Sequence, residues 1–110
     1  MTVPLSKRWP EGFDPAVRDR LLTAYADPGR GYHDQRDLAD VLDRLAELDA
    51  TDATVLLAAW FHDAVYDPTR GDNEEESARL AERLLASTGV GEEVARLVRV
   101  TRTHRAHPLD

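Results

Sequence analysis

The dipeptide His62-Asp63 is the feature of this sequence with the most evident capacity for chemistry. It directly follows the apolar run from Val55 to Phe61, where a charged side chain is costly to bury unless it is paired or binds a metal. An adjacent imidazole and carboxylate offer one nitrogen and one oxygen ligand to a divalent ion. The dipeptide alone also fits a hydrogen-bonded core histidine beside an aspartate that reaches solvent near a helix end.

His33 can supply a further nitrogen ligand. It follows Gly31-Tyr32 and stands just before a predicted helix, where a side chain can project toward a neighbouring element. An imidazole from there and the His62-Asp63 pair would form a mixed nitrogen and oxygen set suited to Zn, Mn, Fe or Co. Because the sequence contains no cysteine, any metal must be held by imidazole and carboxylate groups. Taken alone, a histidine at this position is more often a loop or capping residue.

An acidic run from Asp72 to Glu76 permits a catalytic or a purely structural interpretation. One of its carboxylates can orient a water or act as a general base. The alternative is an N-cap followed by acids that favour the positive end of the helix dipole.

Histidines and arginines near the end of the chain are open to the same two interpretations. His104 and His107 can touch one ligand if that stretch is helical, or they are surface residues of a fraying helix end. Four arginines at a regular spacing predict a solvated basic flank, with a phosphate clamp as the alternative: Arg96, Arg99, Arg102 and Arg105.

Helix signals predict an all-α fold that must position these residues. Caps, stops and apolar spacing divide the chain into about five helical segments, and no segment shows the alternation of a strand. Asp14 with Pro15 begins the first segment, and Asp27-Pro28 ends it. The segments are expected at about 15–26, 34–48, 53–66, 73–88 and 92–104.

The third segment, TVLLAAWFHDAVY, is apolar nearly all round, so we expect it to be the central, buried helix. It carries His62-Asp63 and is expected to end at Tyr66, before Asp67-Pro68. The second segment repeats apolar residues at steps of three and four along one face, from Leu38 to Leu48.

Composition limits the classes of function. A chain of 110 residues with 42% apolar and 32% charged residues predicts one soluble globular domain over residues 1–110. The net charge of −7 repels phosphate backbones and disfavours broad binding to nucleic acid. The N-terminal segment has no apolar signal region, and no apolar run is long enough to cross a bilayer, so the expected compartment is the cytoplasm.

Three stretches together resemble a known family: RGYHDQRDLADVL, LLAAWFHDAVYDPTRGDNEEESA and TRTH. They are similar to the predicted metal-dependent phosphohydrolases of the HD superfamily, in a small bacterial branch. The branch pattern has Tyr-His, then Trp-Phe-His-Asp-x-Val-Tyr, then Asn-Glu-x-x-Ser-Ala and a later Thr-x-x-His. The resemblance covers about residues 30–107. It implies an HD-type helical bundle that binds a divalent metal ion (Mn, Fe, Zn, Co or Mg).

The resemblance also implies roles for particular residues. His33, His62 and Asp63 fall at the metal-ligand positions, and Glu74 falls at the glutamate that is expected to position a water for catalysis. His104 falls at the Thr-x-x-His position, where it is expected to line the substrate cavity. The implied activity is hydrolysis of a nucleotide or other small phosphate ester by a metal-activated water.

Two departures from the family pattern bear on the site. The branch has a second histidine four residues after the first, and Asp37 stands there instead. It either replaces a nitrogen ligand with an oxygen or binds no metal. The family also closes its metal site with an aspartate on a later helix, beyond Asp110. The resemblance thus implies the N-terminal portion of an HD domain, whose uncovered apolar faces predict a homo-oligomer.

Two classes of function stay open at the level of the sequence. The first is a metal-dependent phosphohydrolase, favoured by a charged pair in an apolar helix and by Glu74. The second is a non-catalytic or truncated HD-like helical module that serves binding or dimerisation. Asp37 and the missing final ligand favour this second class.

Overall fold

The computed structural model describes residues 3–31 and 33–105, with the backbone alone for residues 101–105. This part of the chain is all-helical and contains no strand, so the predicted fold class is confirmed. Short 3-10 turns lie at Leu5–Arg8 and Pro28–Arg30. The five α-helices are α1 (Pro15–Tyr25), α2 (Gln35–Glu47), α3 (Ala53–Phe61), α4 (Asn73–Leu84) and α5 (Gly91–Arg105).

Aspartates begin the first three helices by the same local chemistry. Asp14, Asp34 and Asp52 each accept a hydrogen bond from the backbone N–H two residues later, at 2.9, 2.9 and 3.1 Å. Each bond satisfies one of the N–H groups that a helix start leaves without an internal partner. At α4 the N-cap carboxylate of Asp72 instead binds the guanidinium of Arg70.

Helix α3 forms the centre of the core, as its apolar sequence predicts. Its residues from Leu57 to Phe61 are all buried, and the helix packs against α2, α4 and α5. The Trp60 ring meets the Trp9 ring edge-on, with 5.1 Å between the ring centroids. Burial of these side chains is the main source of stabilisation available to a chain of this size.

The predicted end of this central helix at Tyr66 is wrong, because α3 ends at Phe61 and His62 is its C-cap. Side chains from other elements capture the N–H groups that a longer helix would use. The Tyr25 hydroxyl binds Asp63 N at 3.1 Å, and the Ser77 hydroxyl binds Val65 N at 3.0 Å. The residues after Phe61 therefore leave the helix.

The fourth helix is also shorter than predicted, ending at Leu84 rather than near residue 88. The next residues form a turn in which Thr88 donates from both its N–H and its hydroxyl to the Leu85 carbonyl, at 3.0 and 2.7 Å. Gly89 then adopts a φ of 83°, which an L side chain rarely adopts.

Helices α4 and α5 pack extensively on each other and are joined by ion pairs. Arg99 of α5 donates two hydrogen bonds of 2.9 Å to Glu75 and two longer ones of 3.4 Å to Glu82. These bonds from Arg99, together with one from Arg79, lower the pKa of Glu75 to about 2. Arg96 pairs with Glu93 at 2.8 Å. These two arginines thus bind acidic side chains, as in a solvated flank, while the side chains of Arg102 and Arg105 lie outside the described residues.

No helix within residues 3–31 and 33–105 is both long and apolar enough to cross a lipid bilayer.

Candidate metal centre

The segment after Phe61 is irregular, and its buried backbone groups are bound by side chains. Tyr25 of α1 donates its hydroxyl proton to the Trp60 carbonyl at 3.0 Å and accepts from Asp63 N at 3.1 Å. Burial raises the pKa of the Tyr25 phenol, so the hydroxyl keeps the proton that it donates. One side chain therefore satisfies a carbonyl at the end of α3 and the N–H that follows it.

A buried arginine binds the same segment from the 3-10 turn at Pro28–Arg30. The Arg30 guanidinium donates to the carbonyls of Asp63 and Ala64 at 2.6 and 2.8 Å. It also donates to the carbonyls of Ala24 at 2.6 Å and His33 at 3.3 Å. The guanidinium thereby links the segment that carries His33 to the segment that carries Asp63.

Helix α4 holds the same segment from the other side. The Ser77 hydroxyl accepts from Val65 N at 3.0 Å and donates to the Val65 carbonyl at 3.2 Å. The Asn73 amide makes the equivalent pair with the backbone of Asp67, accepting at 3.1 Å and donating at 2.9 Å. Each side chain both accepts a hydrogen bond from the N–H of one residue and donates one to the carbonyl of the same residue. This structural role explains Asn73 and Ser77 without a catalytic role.

This framework brings two histidines and two aspartates together. Asp63 Oδ2 lies 2.9 Å from His33 Nδ1 and 3.5 Å from His62 Nε2. Asp37 Oδ2 of α2 lies 3.2 Å from His62 Nε2. Asp63 is fully buried and His62 nearly so, whereas the His33 side chain is 37% exposed. The alternative interpretation, in which Asp63 reaches solvent at a helix end, is therefore wrong.

The residues fit a divalent metal ion. His33, Asp37 and Asp63 each offer one ligand atom, and these atoms all lie within 4.8 Å of one another. Two ligand atoms that share an ion at about 2.1 Å lie about 3.0–3.4 Å apart in octahedral or tetrahedral geometry. The separations of 2.9, 3.2 and 3.5 Å in this cluster lie close to that spacing, and the two shorter ones are also hydrogen bonds. One imidazole and two carboxylates, with a second imidazole adjacent, suit Zn, Mn, Fe or Co.

The candidate site residues identified from the sequence differ in their placement. His33, His62 and Asp63 meet in this cluster, and Asp37 joins them from the first turn of α2. Glu74 is half-buried in the first turn of α4, the helix that Asn73 and Ser77 attach to the segment after Asp63. The His104 backbone lies in α5, and its side chain lies outside the described residues, as does all of His107.

Two of the residues that build the candidate centre, Arg30 and Tyr25, are not predicted by the sequence patterns. Arg30 lies within the stretch RGYH that carries the family resemblance, but no pattern distinguishes it from a surface arginine. Tyr25 falls on the apolar stripe of α1, which hides the role of its hydroxyl. The position of Arg30 directly before Gly31-Tyr32-His33 is a weak signal, because surface arginines commonly stand beside such turns.

The hydrogen bonds of His62 favour its protonated form. Nδ1 binds the Ala59 carbonyl at 2.6 Å and must donate to it, so Nε2 needs a second proton to donate to the Asp37 carboxylate. Burial opposes the charge, but the bond to Asp37 and the charge of Asp63 outweigh it and raise the pKa of His62. A raised pKa stabilises the fold at pH values below the ordinary value of about 6.5, and this contribution is lost as the pH rises through the pKa in the folded state.

An Asp37→Asn variant is expected to lower the pKa of His62 in the metal-free protein, because burial remains while the strongest favourable partner loses its charge. An NMR titration of the His62 ring protons measures this shift. An Asp43→Asn variant is the matched control, since Asp43 lies on the same helix but pairs with Arg8. An unchanged pKa of His62 in the Asp37 variant would show that the bond to Asp37 does not raise it.

Aromatic rings border the cluster on its more exposed side. The Tyr66 ring stacks on the His33 ring with 4.5 Å between centroids and 22° between planes. The Arg30 guanidinium lies 4.9 Å from the centre of the Tyr25 ring and 5.9 Å from that of Tyr66. The stacking of Tyr66 and the bond from Nδ1 to Asp63 together orient the His33 ring.

An apolar groove of about 230 Å³ between α2 and α3 ends at His62. Val41 and Leu45 follow Asp37 at steps of four, so the groove and the cluster share one face of α2. Its other wall comes from α3: Val55, Ala58 and Ala59.

No family model, curated protein or solved structure matches the chain. The functional interpretation therefore rests on the site itself and on the resemblance of the three sequence stretches.

Proposed function

We propose that this protein is a metal-dependent phosphohydrolase that acts on a nucleotide or another small phosphate ester. The observation that carries the proposal is the spacing of the ligand atoms around Asp63 Oδ2 and His62 Nε2, between 2.9 and 3.5 Å. Four groups of the types that bind divalent ions converge there from two separate segments, residues 33–37 and 62–63. A divalent ion bound there would supply Lewis-acid polarisation of a phosphoryl oxygen and lower the pKa of water.

The chain's own residues have distinct roles in this proposal. His33, His62 and Asp63 are the ligands that the family resemblance implies, and Asp37 adds an oxygen where the family has a nitrogen. Glu74 is the candidate to orient a water, because Ser77 and Asn73 of the same helix bind the segment that follows Asp63. Tyr66 covers one face of His33 and restricts access of water to it.

Metal uptake and phosphate release test the proposal together. Purified protein is dialysed against a chelator, reloaded with Mn²⁺, Co²⁺, Zn²⁺ or Mg²⁺ in turn, and analysed for bound metal. Each form is then assayed for phosphate release from 4-nitrophenyl phosphate and from nucleoside monophosphates. We expect about one ion or more per chain and hydrolysis that disappears on chelation. Failure of every loaded form to hydrolyse any phosphate ester would contradict the enzymatic role.

A second candidate, a non-catalytic HD-like module for binding or dimerisation, is favoured by two observations. The polar groups of the cluster already satisfy one another, with His33 on Asp63 and His62 on Asp37, so the network can exist as a structural element. The apolar groove beside it offers a surface to a second copy. Light scattering of the purified protein tests the expected homo-oligomer, and full metal-independence of the oligomer with no hydrolysis would select this candidate.

A further inference from the structure

Arg30 is the most deeply buried cation in the described part of the chain, with 6% of its surface exposed. Its four hydrogen bonds in this part all end on backbone carbonyls: those of Ala24, His33, Asp63 and Ala64. Carbonyls carry no formal charge, so the bonds satisfy the donors of the guanidinium without neutralising it. A buried charge held in this way is costly, and an apolar side chain of similar size often serves stability as well or better.

The carbonyls that Arg30 binds belong to residues of the metal centre or to their neighbours. His33 and Asp63 lie 30 residues apart in the sequence, and a single guanidinium binds the backbone of both. A short bond to Ala64 and another to the end of α1 at Ala24 fix the guanidinium itself. One rigid planar group thus joins the two ligand-bearing segments through their backbones, in addition to the side-chain bonds between His33 and Asp63 and between His62 and Asp37.

We infer that Arg30 is a positioning residue of the metal centre, acting through the backbones of His33 and Asp63. The inference rests on the proposed metal site and adds to it the group that aligns the two ligand-bearing segments. Arginine suits this role because its planar fork directs five donors in fixed directions, whereas lysine is a point charge on a flexible stem.

The geometry around His33 explains why this alignment is needed. Its side chain is 37% exposed and lies outside the helices, just before α2. Both backbone groups of His33 contact Arg30. The His33 carbonyl accepts from the guanidinium, and His33 N donates to the Arg30 carbonyl at 3.1 Å. Loss of the guanidinium would leave the stacking of Tyr66 and the bond to Asp63 to orient the imidazole.

The test compares Arg30→Met and Arg30→Lys with Arg99→Met. Arg99 is the matched control because it also makes four side-chain hydrogen bonds, but they join α4 to α5 away from the ligands. Each protein is first shown to be folded by circular dichroism. Zn²⁺ affinity is then measured by competition with a chromophoric chelator, and the visible spectrum of the Co²⁺ form reports coordination geometry.

We expect Arg30→Met to bind Zn²⁺ about 10- to 100-fold more weakly than the natural protein, the range typical for residues that orient metal ligands. Arg30→Lys is expected to fold and to stay weakened, with an altered Co²⁺ spectrum. Arg99→Met is expected to lose thermal stability and keep its Zn²⁺ affinity. Unchanged affinity and spectrum in a folded Arg30→Lys would overturn the inference and leave the proposed metal site intact.

A metal-free measurement separates this inference from the proposed function. If the natural protein takes up none of Mn²⁺, Co²⁺, Zn²⁺ and Mg²⁺, the proposed function fails, and NMR signals of the His33 ring and the Asp63 amide decide the role of Arg30. These signals are expected to shift in Arg30→Lys and to stay in place in Arg99→Met. The same signals at the same positions in both variants would show that Arg30 does not align the two segments.

Discussion

An Asp63→Asn variant is expected to keep its fold and to lose more than about 100-fold in divalent-metal affinity. Mutation of a residue that only hydrogen-bonds to a metal ligand typically lowers the affinity about 10- to 100-fold, and the loss of a ligand should exceed that. Asp63 is fully buried, and its Oδ2 approaches both His33 and His62. Asparagine has the same shape, and its amide oxygen can still accept a hydrogen bond from an imidazole. The amide lacks the negative charge that offsets the cost of bringing a divalent ion into this buried position.

Thermal unfolding with and without metal measures the loss. At a free metal concentration 100 times the dissociation constant, the natural protein should gain about 2.7 kcal/mol of stability, since the ion binds the folded state. Asp63→Asn should gain almost nothing under the same conditions. Asp43→Asn is the control, because this aspartate is exposed and pairs with Arg8. An equal metal-induced gain in the Asp63 and Asp43 variants would remove Asp63 from the ligand set.

The largest loss of stability is expected from Trp60→Ala, at about 3–5 kcal/mol, the range measured for removal of large aromatic side chains from a core. Trp60 is fully buried in α3 and meets the Trp9 ring at 5.1 Å. The loss would consume much of the 5–15 kcal/mol that holds a typical domain folded. The same residue offers the carbonyl that Tyr25 binds beside the candidate metal centre.

Denaturant unfolding in the presence of a chelator isolates this packing contribution from metal binding. Leu48→Ala is the control, because Leu48 is 77% exposed and its truncation should change the free energy of unfolding by less than about 0.5 kcal/mol. If Trp60→Ala is unfolded without denaturant, Trp60→Phe provides a measurable intermediate. A loss below about 1 kcal/mol in Trp60→Ala would show that α3 is not the centre of the core.

Local sequence largely determines the helices and their order. Asp14, Asp34 and Asp52 mark helix starts because an aspartate can bind a free N–H two residues ahead, which requires no tertiary contact. The central place of α3 follows from an apolar sequence that no solvent-facing helix would carry. Residue types alone also limit any metal ligands to imidazole and carboxylate, since cysteine is absent.

The shape of the candidate site was decided by tertiary structure. The pattern predicts a helix to Tyr66, but Tyr25 and Ser77, from other helices, bind the N–H groups that the helix would have used. Asp37 could be a ligand or a bystander by sequence, and only the packing of α2 on α3 brings its carboxylate within 3.2 Å of His62. In the sequence, nothing distinguishes Arg30 from a surface arginine. Its burial and its four carbonyl partners are apparent only in the folded structure. Local sequence therefore determined where the helices begin and which side chains can bind metal, because both depend on neighbours in the chain. Long-range hydrogen bonds determined where α3 ends and which groups meet, because those partners are separated by 12 to 38 residues.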